Sequence, residues 1–142
     1  MNCSDVMTAN PVCCLPTDAV SQAAREMRRE DVGAVPVIND EQSRKLIGIV
    51  TDRDLAIKVV AESRDPNYTK VHDVMTTVIV ACRASDDVSS ATNAMEEYQL
   101  RRIPVLDADD RIVGIITQAD VATRVHEPIK IAEVVREISQ AA

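Results

Sequence analysis

Gly48-Ile49-Val50-Thr51-Asp52-Arg53-Asp54 returns 66 residues later as Gly114-Ile115-Ile116-Thr117-Gln118-Ala119-Asp120. In both copies a strand-like apolar run ends in a threonine, and an aspartate follows three residues on. Upstream the match continues at an offset of 68. Val6-Met7-Thr8 pairs with Val74-Met75-Thr76, Asp18 with Asp86, Met27 with Met95, and Pro36-Val37 with Pro104-Val105. Over residues 6–38 and 46–56, 17 of 44 aligned positions are identical, which marks a true internal repeat. The two-residue slip falls between Asp40 and Lys45, a polar turn where a change of length is tolerated.

Each copy predicts the same order of elements. A short extended stretch comes first, Pro11 to Cys14 and then Val78 to Cys82. Asp18 or Asp86 opens a helix by capping its free N–H groups. Apolar residues then recur at helical spacing: Val20, Ala23, Ala24 and Met27, and in the second copy Val88, Ala91, Met95 and Tyr98. Two strands follow, Val35 to Ile38 with Leu46 to Val50, and Ile103 to Leu106 with Arg111 to Ile116. A last helix starts at Thr51 or Thr117. The expected fold class is α/β (α+β), with two tandem β-α-β-β-α repeats packed about a pseudo-twofold axis. One such unit alone buries little surface, which favours the pair. The expected boundaries are 3–61 for the first repeat, 62–70 for a polar linker, 71–125 for the second repeat and 126–142 for a C-terminal helix. On that helix Ile131, Val134, Val135 and Ile138 form one apolar stripe, fit either to cover its own module or to pack on a partner subunit.

Composition narrows the function classes. There is no Phe and no Trp, and the tyrosines are Tyr68 and Tyr98, so the core is aliphatic and stacking platforms for nucleic-acid bases are lacking. A formal charge of −7 repels a polyanion and argues against general DNA or RNA binding. It leaves open a small phosphorylated ligand in a locally basic pocket. Apolar runs fall far short of a membrane helix, and the start of the chain lacks the pattern of a signal peptide, so the expected location is cytoplasmic, with no membrane partner. The cysteines, Cys3, Cys13, Cys14 and Cys82, show no metal-ligand spacing with His72 or His126. They read as reduced thiols acting as small hydrophobes, and no metal is expected.

The Thr-x-x-Asp motif has two readings. A threonine and an acid three residues apart form a capping box that satisfies free N–H groups at a helix start. The same aspartate can accept hydrogen bonds from both hydroxyls of a ribose.

Taken together, the tandem units, the Val-Met-Thr openings, the Pro-Val strands and the Gly-x-x-Thr-x-x-Asp endings resemble a pair of CBS domains, a family named after cystathionine β-synthase and also called a Bateman module. The run Thr51 to Lys58 and the stretch from Glu96 to Val105 are similar to the hypoxia and stress-response type of stand-alone two-CBS protein. The resemblance implies a regulatory module that binds an adenosine-containing ligand such as AMP, ADP or ATP, with no cofactor required and no catalysis. It implies two composite clefts. One joins Thr51 and Asp54 to Thr76, Ala81, Arg101 and Arg102. The other joins Thr117 and Asp120 to Thr8, Cys13, Gly33 and Ala34.

Simpler roles stand beside these. Arg101 and Arg102 can form a solvated basic tip. Gly48 and Gly114 can serve tight packing alone, and Thr8 and Thr76 can merely end a helical turn. The alternative to the sensor is a structural dimerisation or protein-interaction module with empty clefts. An enzyme is not expected, because no Ser/His/Asp set, metal cluster or Gly-rich phosphate loop is present. A homodimer and an unidentified regulated protein are the expected partners.

Overall fold

The computed structural model describes residues 1–125 and 135–139. The chain divides into two compact units, one of Met1–Pro11 with Val80–Ala142, the other of Val12–Ile79. The units are therefore not the sequence repeats. Each repeat gives its opening segment to the unit built by the other.

In the first unit, α1 (Cys3–Val6) and β1 (Thr8–Ala9) join β4 (Cys82–Arg83), α5 (Val88–Tyr98), β5 (Arg102–Leu106), β6 (Ile112–Thr117) and α6 (Gln118–Arg124). The strands make one sheet in the order β1-β6-β5-β4, with β5 and β6 an antiparallel hairpin and β4 parallel to β5. The second unit holds α2 (Val20–Glu30), β2 (Ala34–Ile38), β3 (Leu46–Thr51), α3 (Asp52–Leu55) with its π-helical continuation Ala56–Val60, and α4 (Val71–Val74). Its β2–β3 hairpin is flanked by single bridges, Cys14 to Val37 and Ile49 to Thr76, so the four-strand order recurs with shorter edges.

The exchange is carried by matching backbone bonds. Val20 N–H donates to Thr69 O at 2.9 Å, and Val88 N–H donates to Met1 O at 2.8 Å. Val71 N–H donates to Asp18 O at 2.9 Å, and Cys3 N–H donates to Asp86 O at 2.8 Å. Each opening segment thus satisfies a free donor at the start of a long helix and is held in return. Apolar burial completes it. Cys3 and Val6 are fully buried with Ala91, Met95, Ile103 and Ile116, and Val71 and Val74 are buried with Val20, Val35, Val37 and Val50.

The two glycines of the repeat serve this docking. A Cβ on Gly48 would lie 2.7 Å from Met75 Sδ, and one on Gly114 would collide with Met7. The missing side chain makes room for the methionine of the exchanged segment. Gly48→Ala is expected to cost about 1–3 kcal/mol through overpacking, read as a lower midpoint in a urea melt.

Two local expectations are corrected. Asp18 and Asp86 do not cap helices. Their carboxylates fold back to accept Leu15 N–H and Arg83 N–H, both at 2.9 Å, and so close the turn before the helix. The N-cap positions are Ala19 and Asp87, and Asp87 accepts Ser89 N–H at 3.0 Å. Ala24 and Tyr98 face solvent instead of the core, since the buried stripes run through Val20, Ala23, Glu26 and Met27, and through Ala91, Thr92 and Met95.

Ile138, in helical residues 135–139, is fully buried in the core of the first unit. At that residue the tail covers its own module. Ile131 and Val134 lie outside the described residues. Cys3, Cys14 and Cys82 are buried free thiols and Cys13 is half-buried. Burial pushes the Cys14 thiol up to about 12, with Asp18 and Glu26 adding to the rise.

Candidate functional site

The two Thr-x-x-Asp motifs fold as the capping boxes that their spacing predicts. Thr51 Oγ1 accepts Asp54 N–H at 3.0 Å, and Thr51 N–H donates to Asp54 Oδ2 at 3.0 Å. The second copy repeats this at 3.1 and 2.9 Å between Thr117 and Asp120. Asp54 and Asp120 are 8% and 7% exposed, so each is a buried carboxylate that must find partners.

Both carboxylates receive a threonine from the exchanged segment. Thr76 Oγ1 donates toward Asp54 at 3.4–3.5 Å, and Thr8 Oγ1 toward Asp120 at 3.2–3.3 Å. These bonds are long for O–H donors to a charged acceptor. Thr8 and Thr76 are exposed, so the contact lies at the surface.

The residues before the proline are placed differently from the expected clefts. In the hairpins Ala34 pairs with Thr51 and Arg102 with Thr117. Asp52 N–H donates to Gly33 O at 2.9 Å, and Gln118 N–H donates to Arg101 O at 2.9 Å. Gly33 and Ala34 therefore stand with Thr51 and Asp54, and Arg101 and Arg102 with Thr117 and Asp120. An antiparallel hairpin leaves no choice, because the strand that carries the proline is hydrogen-bonded to the strand that ends in the threonine. Burial lowers the Arg102 guanidinium from its ordinary value, and the Asp120 charge opposes that shift. The exchanged threonines follow the expected crossing of repeats, while the arginines do not. Cys13 falls in the unit of Asp54 and not, as expected, in that of Asp120; it is half-buried, with Arg44 Nη2 donating to its Sγ at 3.5 Å. Ala81 is half-buried in the first unit, just ahead of β4.

Sequence reasoning missed Lys58 and Arg124. Lys58 Nζ lies 3.0 Å from Asp54 Oδ1 and donates to Val74 O at 2.9 Å. Arg124 Nη1 donates to Val6 O at 3.0 Å and Met7 O at 2.8 Å, and its Nε lies 3.8 Å from Asp120 Oδ1. The signal was present: the two align at the same offset of 66 that aligns the aspartates, with basic character kept. Among the described residues no group of three or more His, Cys, Asp or Glu side chains is placed to hold a metal ion.

The CBS domain model matches residues 3–61 and 71–127. The chain belongs to the CBS domain family. Hypoxic response protein 1 of Mycobacterium tuberculosis is 37% identical over 123 residues, which cover 87% of this chain and 84% of that protein. The crystal structure of Hypoxic Response Protein I with two coordinated zinc ions superposes with a TM-score of 0.78 at 35% identity, covering 88% of this chain and 99% of that one. The structure of CBSX2 in complex with AMP superposes with a TM-score of 0.71 at 28% identity, covering 99% and 97%. The CBS repeats account for residues 3–61 and 71–127 of the chain. No helix among the described residues is long and apolar enough to cross a membrane.

Proposed function

We propose that this CBS protein is a cytoplasmic sensor that binds an adenosine-containing ligand, such as AMP, ADP or ATP, in two sites, one in each unit. The observation that carries this reading is the repeated set of a buried carboxylate and a surface threonine at long hydrogen-bond distance. A vicinal diol supplies two donors to one carboxylate, and both fit where the threonine now makes its weak contact. The AMP complex of CBSX2 supports the choice of ligand class. The first unit's site consists of Thr8, Arg102, Thr117 and Asp120, with Arg101 framing it through its backbone. The second unit's site consists of Thr51, Asp54 and Thr76, with Gly33 and Ala34 in the corresponding frame. Cys13, in the unit of Asp54, and Ala81, in the unit of Asp120, are the proposed neighbours of the base in those units. AMP at a hundred times its dissociation constant is expected to stabilise the chain by about 2.7 kcal/mol for each site it fills. Thermal melts with AMP, ATP, NADH and S-adenosylmethionine test it. A melting temperature indifferent to all four would refute the reading.

A homodimer is part of the same proposal. Ile57 is 45% exposed and Val60 74% exposed, three residues apart on the helix that follows Thr51. Two apolar side chains held out on one helix favour a partner surface. Light scattering is expected to give twice the chain mass, and Val60→Asp to give the monomer mass. A monomeric wild-type chain at tens of micromolar would remove the dimer from the account.

A further inference from the structure

We propose that Lys58 and Arg124 are positioning residues for the two aspartate sites, each tying its carboxylate to the backbone of the segment that the other repeat donates. The claim about the ligand rests on the nucleotide reading above, whereas the claim about the segment does not.

The opening helices α1 and α4 are single turns of four residues. Their last carbonyls have no partner within the helix and need a donor from elsewhere. Val74 O takes that donor from Lys58, and Val6 O and Met7 O take it from Arg124. The same cation faces the aspartate four residues earlier on its own helix. One side chain therefore answers two needs at once, a free carbonyl and a buried carboxylate.

The two copies reach this arrangement by different means. Lys58 sits in a π-helical stretch, and Arg124 ends a regular α-helix. Lys58 spans one carbonyl with its ammonium, and Arg124 spans two with one nitrogen of its guanidinium. Different side chains on different helical geometry make the same bridge, so the bridge itself is what the two repeats share. In the second unit the contacts also divide by length. Lys58 holds its partners at 2.9 and 3.0 Å, while Thr76 reaches Asp54 only at 3.4–3.5 Å. A diol arriving at Asp54 displaces the threonine and leaves the lysine bonds in place. The carboxylate is then kept aimed, and seating of the donated segment is linked to occupancy of the site.

Hydrogen exchange and calorimetry on the full chain test this. Thr76 N–H donates to Ile49 O at 2.8 Å and reports whether the donated segment is seated. Lys58→Met is expected to speed exchange at Thr76 by about tenfold and to weaken AMP at the Asp54 site by about tenfold, the size of one lost charge-assisted bond. Lys58→Arg is expected to restore both, because the second repeat already uses arginine. Unchanged exchange at Thr76 in Lys58→Met would overturn the bridge, whatever AMP does. Fast exchange that persists in Lys58→Arg would assign the effect to packing of the lysine stem and overturn a positioning role. Fast exchange with unaltered AMP affinity would break the link to the ligand. A wild-type chain that binds no AMP would sink the nucleotide reading alone, and Thr76 exchange would still decide the bridge. Should Lys58→Met fail to fold, Arg124→Met read at Asn10, whose N–H donates to Val113 O at 3.2 Å, replaces it.

Discussion

Removal of residues 1–9 is expected to lower the melting temperature by about 10 °C or more, although a chain terminus is usually dispensable. The segment carries Cys3 and Val6, both fully buried, and Met7 packed against the same core. Burying a valine is worth roughly 1.5–3 kcal/mol, and each lost hydrogen bond about 0.5–1.5 kcal/mol more. Three backbone bonds outside the sheet go with it, Val88 N–H to Met1 O, Cys3 N–H to Asp86 O and Ser4 N–H to Ala84 O, together with the pairing of β1 on β6. The total is on the order of 4 kcal/mol. A melt followed by circular dichroism measures it. A truncated chain that melts within about 2 °C of the full one would mean that the exchanged segment contributes no core.

Arg102→Ala is expected to weaken AMP at the Asp120 site by tenfold or more while leaving adenosine nearly unaffected. The guanidinium is half-buried on β5, opposite Thr117, and its charge interacts with Asp120. A charge-assisted bond from arginine to phosphate is worth about 1.5–3 kcal/mol, and adenosine has no phosphate to receive it. The corresponding residue in the other unit is Ala34, opposite Thr51, so that site should discriminate less between the two ligands. Parallel titrations with AMP and adenosine at fixed salt decide this. Equal losses for both ligands would show that Arg102 supports the fold of the site and does not contact phosphate.

The repeat and its element order were legible because they rest on local chemistry. A threonine and an aspartate three residues apart make the same capping box wherever the strand ends, and both copies do so. The exchange of opening segments was only partly legible. Met75 explains why Gly48 must be glycine and Met7 why Gly114 must be, but no periodicity says which copy's methionine arrives. The placement of the arginines followed from hairpin register, which a two-strand prediction already contains. Pro104 pairs with Ile115, so Arg102 must pair with Thr117. Asp18 and Asp86 misled because an aspartate before a helix serves equally to cap it or to close the preceding turn, and only the backbone angles choose. Lys58 and Arg124 look like solvent-facing charges along a helix until the donated carbonyls are set beside them.

The most direct measurement is an AMP titration by calorimetry on the wild-type chain, on Asp54→Ala, on Asp120→Ala and on the double variant. Each single variant is expected to lose one site and keep the other, and the double variant to show no saturable binding. A double variant that binds AMP as the wild type does would contradict the assignment of the two aspartates as the ligand's anchors.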